Sequence, residues 1–488
     1  MAPPGRFADG LRLESHKARA MRHRLRAAAA PACAVIALDQ GRGDADPVVG
    51  PGDRVFVGTP IARPASGVAA TIHSPVCGIV REIAQRETAA PAGSGPCIVI
   101  DSDGSDARDP RIAAPALESL GPEDLIARIL EAGIVGLGGA AYPTGVKLAT
   151  ARERSVEHLV LNGAECEPWI CCDDALMRER ADDILLGTRI MMVTCGARRA
   201  TIAVEDDKPE AIEALRRASS ALGDDRLEVV ALPALYPAGA EGPLLLAVTG
   251  LEVPHDAFPP SIGLLCQNVG TAAAVASWAR SGEPCISRVV TVTGSGVGEP
   301  ANLEARIGTP LAALVAECGG HRGEPRRLIA GGSMTGTALA TDDVALTKAM
   351  NCILVATALD LVPRGEEMPC IRCGDCASAC PAGLLPQQLL RAVTSGVTAE
   401  AGRYGLADCI ECGCCDYVCP SRIPLTSRFR AARAEARALA ADRQRAEAAR
   451  RRFEQHQRRL AMQAEAERQA FEEARRLARG DGAGRSDP

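Results

Sequence analysis

Residues 133–147 read GIVGLGGAAYPTGVK, and the reading of this stretch decides how the chain around it folds. It follows a helical stretch, EDLIARILEAG (123–133), and leads toward a short apolar run, HLVLN (158–162). A glycine-rich loop alone is most often a bare turn. This one ends in Lys147 and carries almost no side-chain bulk before Tyr142. Backbone N–H groups can therefore approach a phosphate or the edge of a flavin ring, and the lysine adds positive charge. Downstream, helical and strand patterns alternate: DALMRERADDILLGTRIMMV (174–193), ATIAVED (200–206), PEAIEALRRASSAL (209–222) and LEVVALP (227–233). That alternation predicts a doubly wound, Rossmann-like α/β domain over residues 115–285.

The flanks read differently. After an N-terminal extension (1–34), residues 35–105 hold short β runs, PVVGPGDRVFVGTPIA (47–62) and ATIHSPVCGIVREI (70–83), with turn signals at close spacing. They predict a small barrel-sandwich-like β domain with the rhythm of biotinyl and lipoyl carrier domains. The segment RPASGVAAT (63–71), where those carry their modified lysine, has none. Residues 286–360 return to β-rich segments around one helix (RVVTVTGSGV, TPLAALVAECGG, RRLIAGGSM), read as a β-grasp module. A ferredoxin-like module follows at 365–425. Residues 426–479 lack Gly and Pro, predicting one long charged helix over 426–480 with a narrow apolar stripe (Phe429, Leu439, Phe453, Leu460, Phe471, Leu477). Residues 481–488 read as a disordered tail.

Eight of the twenty cysteines fall into two copies of one pattern. CIRCGDCASACP (370–381) and CIECGCCDYVCP (409–420) both obey C-x2-C-x2-C-x3-C-P. Three thiolates two residues apart can wrap one face of a cubane, while the fourth reaches the other cluster. This predicts two [4Fe–4S] clusters, one on Cys370, Cys373, Cys376 and Cys419, the other on Cys409, Cys412, Cys415 and Cys380. Structural zinc also takes four cysteines, but rarely in this doubled spacing with Pro. Cys414 falls outside the spacing and reads as a spare thiol.

Net charge is −6, which gives no reason to expect nucleic-acid binding. The cluster thiolates imply a reducing compartment. No stretch approaches the roughly 20 apolar residues of a membrane span. Residues 24–38 (RLRAAAAPACAVIAL) begin too late, behind a charged leader, to read as a secretory signal.

The glycine loop resembles the flavin loop of the NADH-oxidising subunit of respiratory complex I, with Leu137 where that family has Arg, Ala141 for a Gly and Tyr142 for Phe. LNGAECEPW (161–169), LYPAGAEG (235–242) and CQNVGTAAAV (266–275) resemble three further segments of it. With the β domain in front and the doubled cysteine motif behind, the order is similar to the RnfC family of the Rnf ion-translocating electron-transport complex. Against that family's second flavin turn, Ala240 replaces a Gly and Gly242 a Lys.

The resemblance implies that Gly136, Gly138, Gly139 and Ala140 line FMN, with Lys147 near its phosphate or the nucleotide. It implies that Asn162 and Glu165 hydrogen-bond the flavin, and that Asn268 and Thr271 hold its phosphate end. Tyr142 would stack on the nicotinamide or adenine, and Glu167 and Glu241 would shape the NADH pocket. No catalytic acid or base is expected, because hydride transfer to flavin needs stacking and a water-poor pocket. The implied protein is a peripheral subunit at the cytoplasmic face of the inner membrane. It would pass electrons between NAD(H), FMN, the two clusters and a partner iron–sulfur subunit, and indirectly ferredoxin, while membrane partners move the ion. Two rivals are a diaphorase subunit of a soluble hydrogenase or formate dehydrogenase, and a non-catalytic electron-transfer adaptor with a dead flavin pocket. Cys166, Cys171 and Cys172, beside the flavin segment, read first as small buried hydrophobes, as do the other cysteines outside the motifs. Asp173 and Asp174 read as helix-start residues.

Overall fold

The computed structural model describes residues 10–65, 68–90, 93–254, 257–361, 365–396 and 398–480. The expected tail at 481–488 lies outside these, as do Ser66 and Gly67 of the segment without lysine. The chain forms two compact units. The first runs to Leu384 and takes in Ile410–Ile423; the second comprises Leu385–Cys409 and the chain from Pro424 onward.

Within the first unit, two small antiparallel sheets come first. One holds Cys33–Ala37, Ser94–Ser102, Gly78–Glu87 and Arg54–Val55; the other Ala45–Pro47, Pro60–Pro64 and Ile72–His73. Their inward residues, Ile36, Ile61, Ile72, Val80, Ile98 and Ile100, make one apolar core. β-branched side chains suit a pleated, buried face.

Four parallel strands follow, side by side in the order Leu227–Leu232, Arg199–Glu205, His158–Gly163 and Leu264–Asn268. The central strands are apolar almost throughout, as strands covered on both faces must be. The helices Ala181–Cys195 and Val269–Ser281 pack so closely that a Cβ on Gly187 would lie 1.8 Å from the Ala272 carbonyl oxygen. Only glycine fits there, and the contact fixes the helix that starts at Asn268. Asn162 and Asn268 are paired across adjacent strands near their carboxyl ends, where open parallel sheets carry their sites.

A mixed six-stranded sheet comes next, ordered Arg26–Ala27, Ala301–Arg306, Ser287–Thr293, Cys352–Ala356, Arg327–Ala330 and Thr337–Leu339, with helix Leu311–Glu317 packed into the same core. Its edge strand comes from the N-terminal extension, which also crosses the parallel-sheet domain. Leu11 exchanges backbone hydrogen bonds with Tyr236, His16 stacks on Trp169 at 4.3 Å, and the Lys17 ammonium donates to the Glu165 carbonyl.

The second unit contains helix Pro386–Thr394 packed on helix Leu425–Gly480. The long helix has 56 residues, about 84 Å of rise. Phe429 is buried, while Leu439, Phe453, Leu460, Phe471 and Leu477 are exposed. No described helix is long and apolar enough to cross a membrane.

Candidate functional site

The glycine loop is held from behind. Leu137 N–H donates to the Thr271 hydroxyl at 2.9 Å, and that hydroxyl donates to the Val135 carbonyl. Arg288, buried beneath, donates to the Leu137 carbonyl at 2.8 Å. Across the loop, Gly136 N–H meets the Tyr142 carbonyl and Ala141 N–H meets the Gly136 carbonyl. Gly139 and Ala141 take left-handed backbone, at φ 107° and 48°. The tip, Gly138–Ala140, is exposed. Its three N–H groups have no acceptor among the described residues. Such a row of free donors with no side chain over it fits a phosphate or a flavin edge.

One wall is Asn268. Its carbonyl oxygen caps helix Val269–Ser281 by accepting Gly270 N–H at 2.8 Å, and its amide donates to Asp173 at 2.6 Å. Gly138 lies against it. Asn162, next to Asn268 in the sheet, donates to the Gly239 carbonyl at 2.8 Å and accepts Ala164 N–H. Lys147 donates to Glu241 at 2.7 Å and to the Cys266 carbonyl at 2.9 Å. Burial works against the lysine's charge, but Glu241 together with the lesser pull of Cys266 and Tyr142 holds the pKa above the ordinary value. Gly136, Gly138, Gly139, Ala140, Lys147, Asn162, Asn268 and Glu241 thus gather around the loop and the turn at 236–241. Tyr142 is half-buried with the Arg42 guanidinium 5.9 Å from its ring centre, and Arg42 also donates to the Ala140 carbonyl. Thr271 is fully buried under the loop.

The two remaining acids lie deeper. Glu165 accepts N–H groups from Asp173 (2.9 Å) and Asp174 (3.2 Å), so it caps helix Cys172–Glu179 from outside. Asp173 and Asp174 do sit in that helix's first turn. The cap comes from seven residues upstream of Cys172, which no local helix-start signal reveals. Burial, then the neighbouring Asp173 charge, pushes the Glu165 carboxyl up. Glu167 accepts from Met334 N–H (3.1 Å), Thr335 N–H (3.0 Å) and the Thr335 hydroxyl (2.7 Å), tying this segment to the following sheet's loop. Burial raises its pKa against those bonds. Cys166 and Cys171 are pushed up to about 12 by burial, which makes them poor nucleophiles.

No disulfide joins cysteines among the described residues. The two motifs repeat one backbone pattern: Arg372 and Gly374 in the first, and Glu411 and Gly413 in the second, adopt φ of 58°, 90°, 56° and 78°. Each left-handed pair flanks the second cysteine of its motif, Cys373 or Cys412, and turns the chain on either side of it. The short helices that follow, Asp375–Ser378 and Cys414–Tyr417, pack on one another. Eight thiols on two such turns are a donor set that fits paired iron–sulfur clusters. The first unit holds seven of them, and Cys409 ends a segment of the second. Burial divides the copies. Cys370 and Cys373 are exposed, whereas Cys414 and Cys415 are buried. Cys414 occupies the position of exposed Asp375 in the first motif and packs with Tyr236 and Ala379. Tyr236 in turn donates its hydroxyl to the Cys412 carbonyl at 2.5 Å.

Comparison with known proteins follows the same division. Residues 129–277 match the family described as Nuo51 FMN-binding domain, 5–105 the RnfC barrel sandwich hybrid domain, 289–338 the SLBB domain, and 369–423 the 4Fe-4S dicluster domain. The chain is 43% identical, over 93% of its length, to the C subunit of the ion-translocating oxidoreductase complex of Pseudomonas aeruginosa, spanning 58% of that protein. It is 41% identical, over 87% of its length, to the protein of the same name from Rhodobacter capsulatus, spanning 82% of it. A crystal structure of an NAD+-reducing [NiFe]-hydrogenase superposes with a TM-score of 0.46 at 20% identity, covering 65% of this chain and 62% of that one, too loose a likeness to bear on chemistry.

Proposed function

The chain belongs to the RnfC family, the C subunits of ion-translocating oxidoreductase complexes, and from that premise we propose that it passes electrons between NAD(H), FMN and two [4Fe–4S] clusters. In the NADH-oxidising direction, NADH and two oxidised clusters give NAD+, one proton and two singly reduced clusters. FMN, when bound, takes up the electron pair of a hydride and releases it one electron at a time. Gly138, Gly139 and Ala140 offer their free N–H groups to it. Asn268 shapes the adjoining wall, and Thr271 and Arg288 hold the loop from behind so that the cradle is rigid before anything binds. Asn162 fixes the turn at Gly239, which sets Glu241 against Lys147. That pair can exchange partners when an anionic nucleotide arrives, because both side chains are partly exposed. No side chain need move a proton to the transferred hydride.

The observation that carries the reading is the exposed row of unpartnered N–H groups at Gly138–Ala140, walled by Asn268, in the same compact unit as seven of the eight motif cysteines. On the same footing we read the parallel sheet as Rossmann-like, the N-terminal strands as a barrel sandwich and the six-stranded sheet as a β-grasp module. The protein would sit peripherally at the cytoplasmic face of the inner membrane, exchanging electrons with a partner iron–sulfur subunit and indirectly with ferredoxin. Equilibrium titration of FMN fluorescence against the anaerobically reconstituted chain tests the cradle. Saturable quenching at one FMN per chain is expected; unquenched fluorescence at excess protein would leave the non-catalytic adaptor standing.

A further inference from the structure

The turn at Tyr236–Glu241 touches both halves of the proposed electron path. Toward the flavin cradle, its Gly239 carbonyl accepts from Asn162 and its Glu241 pairs with Lys147. Toward the cysteines, Tyr236 is buried, its ring packs with Cys412, Cys414 and Ala379, and its hydroxyl donates to the Cys412 carbonyl at 2.5 Å. Among the described residues, the first motif's member of this apolar cluster is Ala379, which precedes Cys380. The start of the first motif is open to solvent: Cys370 and Cys373 are exposed, and Ile371 between them is 67% exposed.

We infer that the two clusters are ordered, with the one held by Cys412, Cys415 and Cys380 on the flavin side and the one held by Cys370, Cys373 and Cys376 on the outer side, and that Tyr236 is the positioning residue that fixes the inner one. The inference rests on the functional reading above for the word flavin. The asymmetry of the two motifs stands without it. The fifth cysteine belongs to the same arrangement. At the position of Asp375 the second motif meets the Tyr236 ring instead of solvent, and a small apolar thiol replaces the carboxylate there. A hydroxyl donating to the backbone of a ligand residue restrains the ligand loop, and bonding and solvent exposure around a cluster set its reduction potential.

Tyr236→Phe keeps the ring and removes the hydroxyl. The full-length chain, reconstituted anaerobically with iron and sulfide, is first challenged with a ferrous chelator. Two phases of iron release are expected, and the variant should speed the slow phase at least threefold without changing the fast one. In a redox titration followed by electron paramagnetic resonance, the variant should move the midpoint potential of one cluster only. Cys373→Ser, at an exposed ligand, should perturb the signal that Tyr236→Phe leaves alone. With FMN bound and NADH mixed in, flavin bleaching should keep its rate while cluster reduction slows at least threefold. The inference is overturned if Tyr236→Phe accelerates the fast phase, leaves both phases and both potentials unchanged, or perturbs the same signal as Cys373→Ser. A wild-type chain that binds no FMN sinks the functional reading instead, and iron release and the two potentials still decide the role of Tyr236.

Discussion

Gly138→Val puts the flavin cradle under a measurable load. Gly138 does not use left-handed backbone, so space alone decides the outcome. A Cβ there would sit 3.3 Å from Asn268 Nδ2 and 3.4 Å from its Cβ and Cγ. Alanine needs the asparagine to give by a few tenths of an ångström. Valine adds two carbons on the same atom and must displace it. Displacement breaks the 2.6 Å bond to Asp173, about 1–3 kcal/mol for a buried polar contact, and the cap on Gly270, about 1 kcal/mol. If FMN binds only when Asn268 is in place, about 2–4 kcal/mol is subtracted from binding, or roughly 30- to 800-fold in Kd. FMN fluorescence titration reads this directly, with far-ultraviolet circular dichroism confirming that helix content is kept. Gly138→Ala should weaken binding less than about tenfold on the same scale. A Gly138→Val chain that is folded and binds FMN within threefold of wild type would refute the placement of the cradle.

Three further outcomes follow from the same geometry. Cys414→Ser should retain eight irons per chain, as the motif spacing assigns that thiol to neither cluster, whereas Cys414→Asp buries a carboxylate against Tyr236 and should lose iron; equal iron content in both would deny the packing. Glu241→Gln weakens a partly exposed ion pair and should cost at most about 1 kcal/mol of stability, while Lys147→Ala should raise the KM for NADH at unchanged iron content. His73 is buried, and burial followed by the Lys348 charge pushes its pKa down to about 3. The folded state therefore resists protonation that the unfolded chain accepts near 6.5, so this stability is full above pH 6.5 and is lost as pH falls toward 3. Between pH 6.5 and 5 the loss is about 2 kcal/mol. Thermal melts of His73→Gln should show a shallower acid slope than wild type over that window, and parallel slopes would contradict the assignment.

The sequence was most legible where chemistry imposes spacing. Metal geometry constrains the cysteines locally, and glycine at 138 and 139 leaves backbone exposed whatever surrounds it. The parallel sheet was legible because covered strands are continuous apolar runs. What stayed hidden depends on partners far along the chain. Residues 10–27 carry no periodicity, yet they add an edge strand and hold Tyr236, Glu165 and Trp169 by backbone bonds, an ammonium and a stacked ring. The resemblance assigns Glu165 to the flavin and Glu167 to the NADH pocket, and the sequence does not reveal that their carboxylates also accept helix and loop N–H groups that only folding brings near. Cys414 could be called spare from its spacing, but its burial could not be read until the Tyr236 turn was seen beside it.

Rapid mixing tests the central claim most directly. The full-length chain, reconstituted anaerobically with FMN, iron and sulfide, is mixed with NADH while flavin absorbance and cluster absorbance are followed together. Flavin bleaching followed by loss of the cluster absorbance, with two electrons per NADH accounted for, is the expected course. Bound flavin that NADH leaves oxidised, or flavin that bleaches while both clusters stay oxidised, would contradict it.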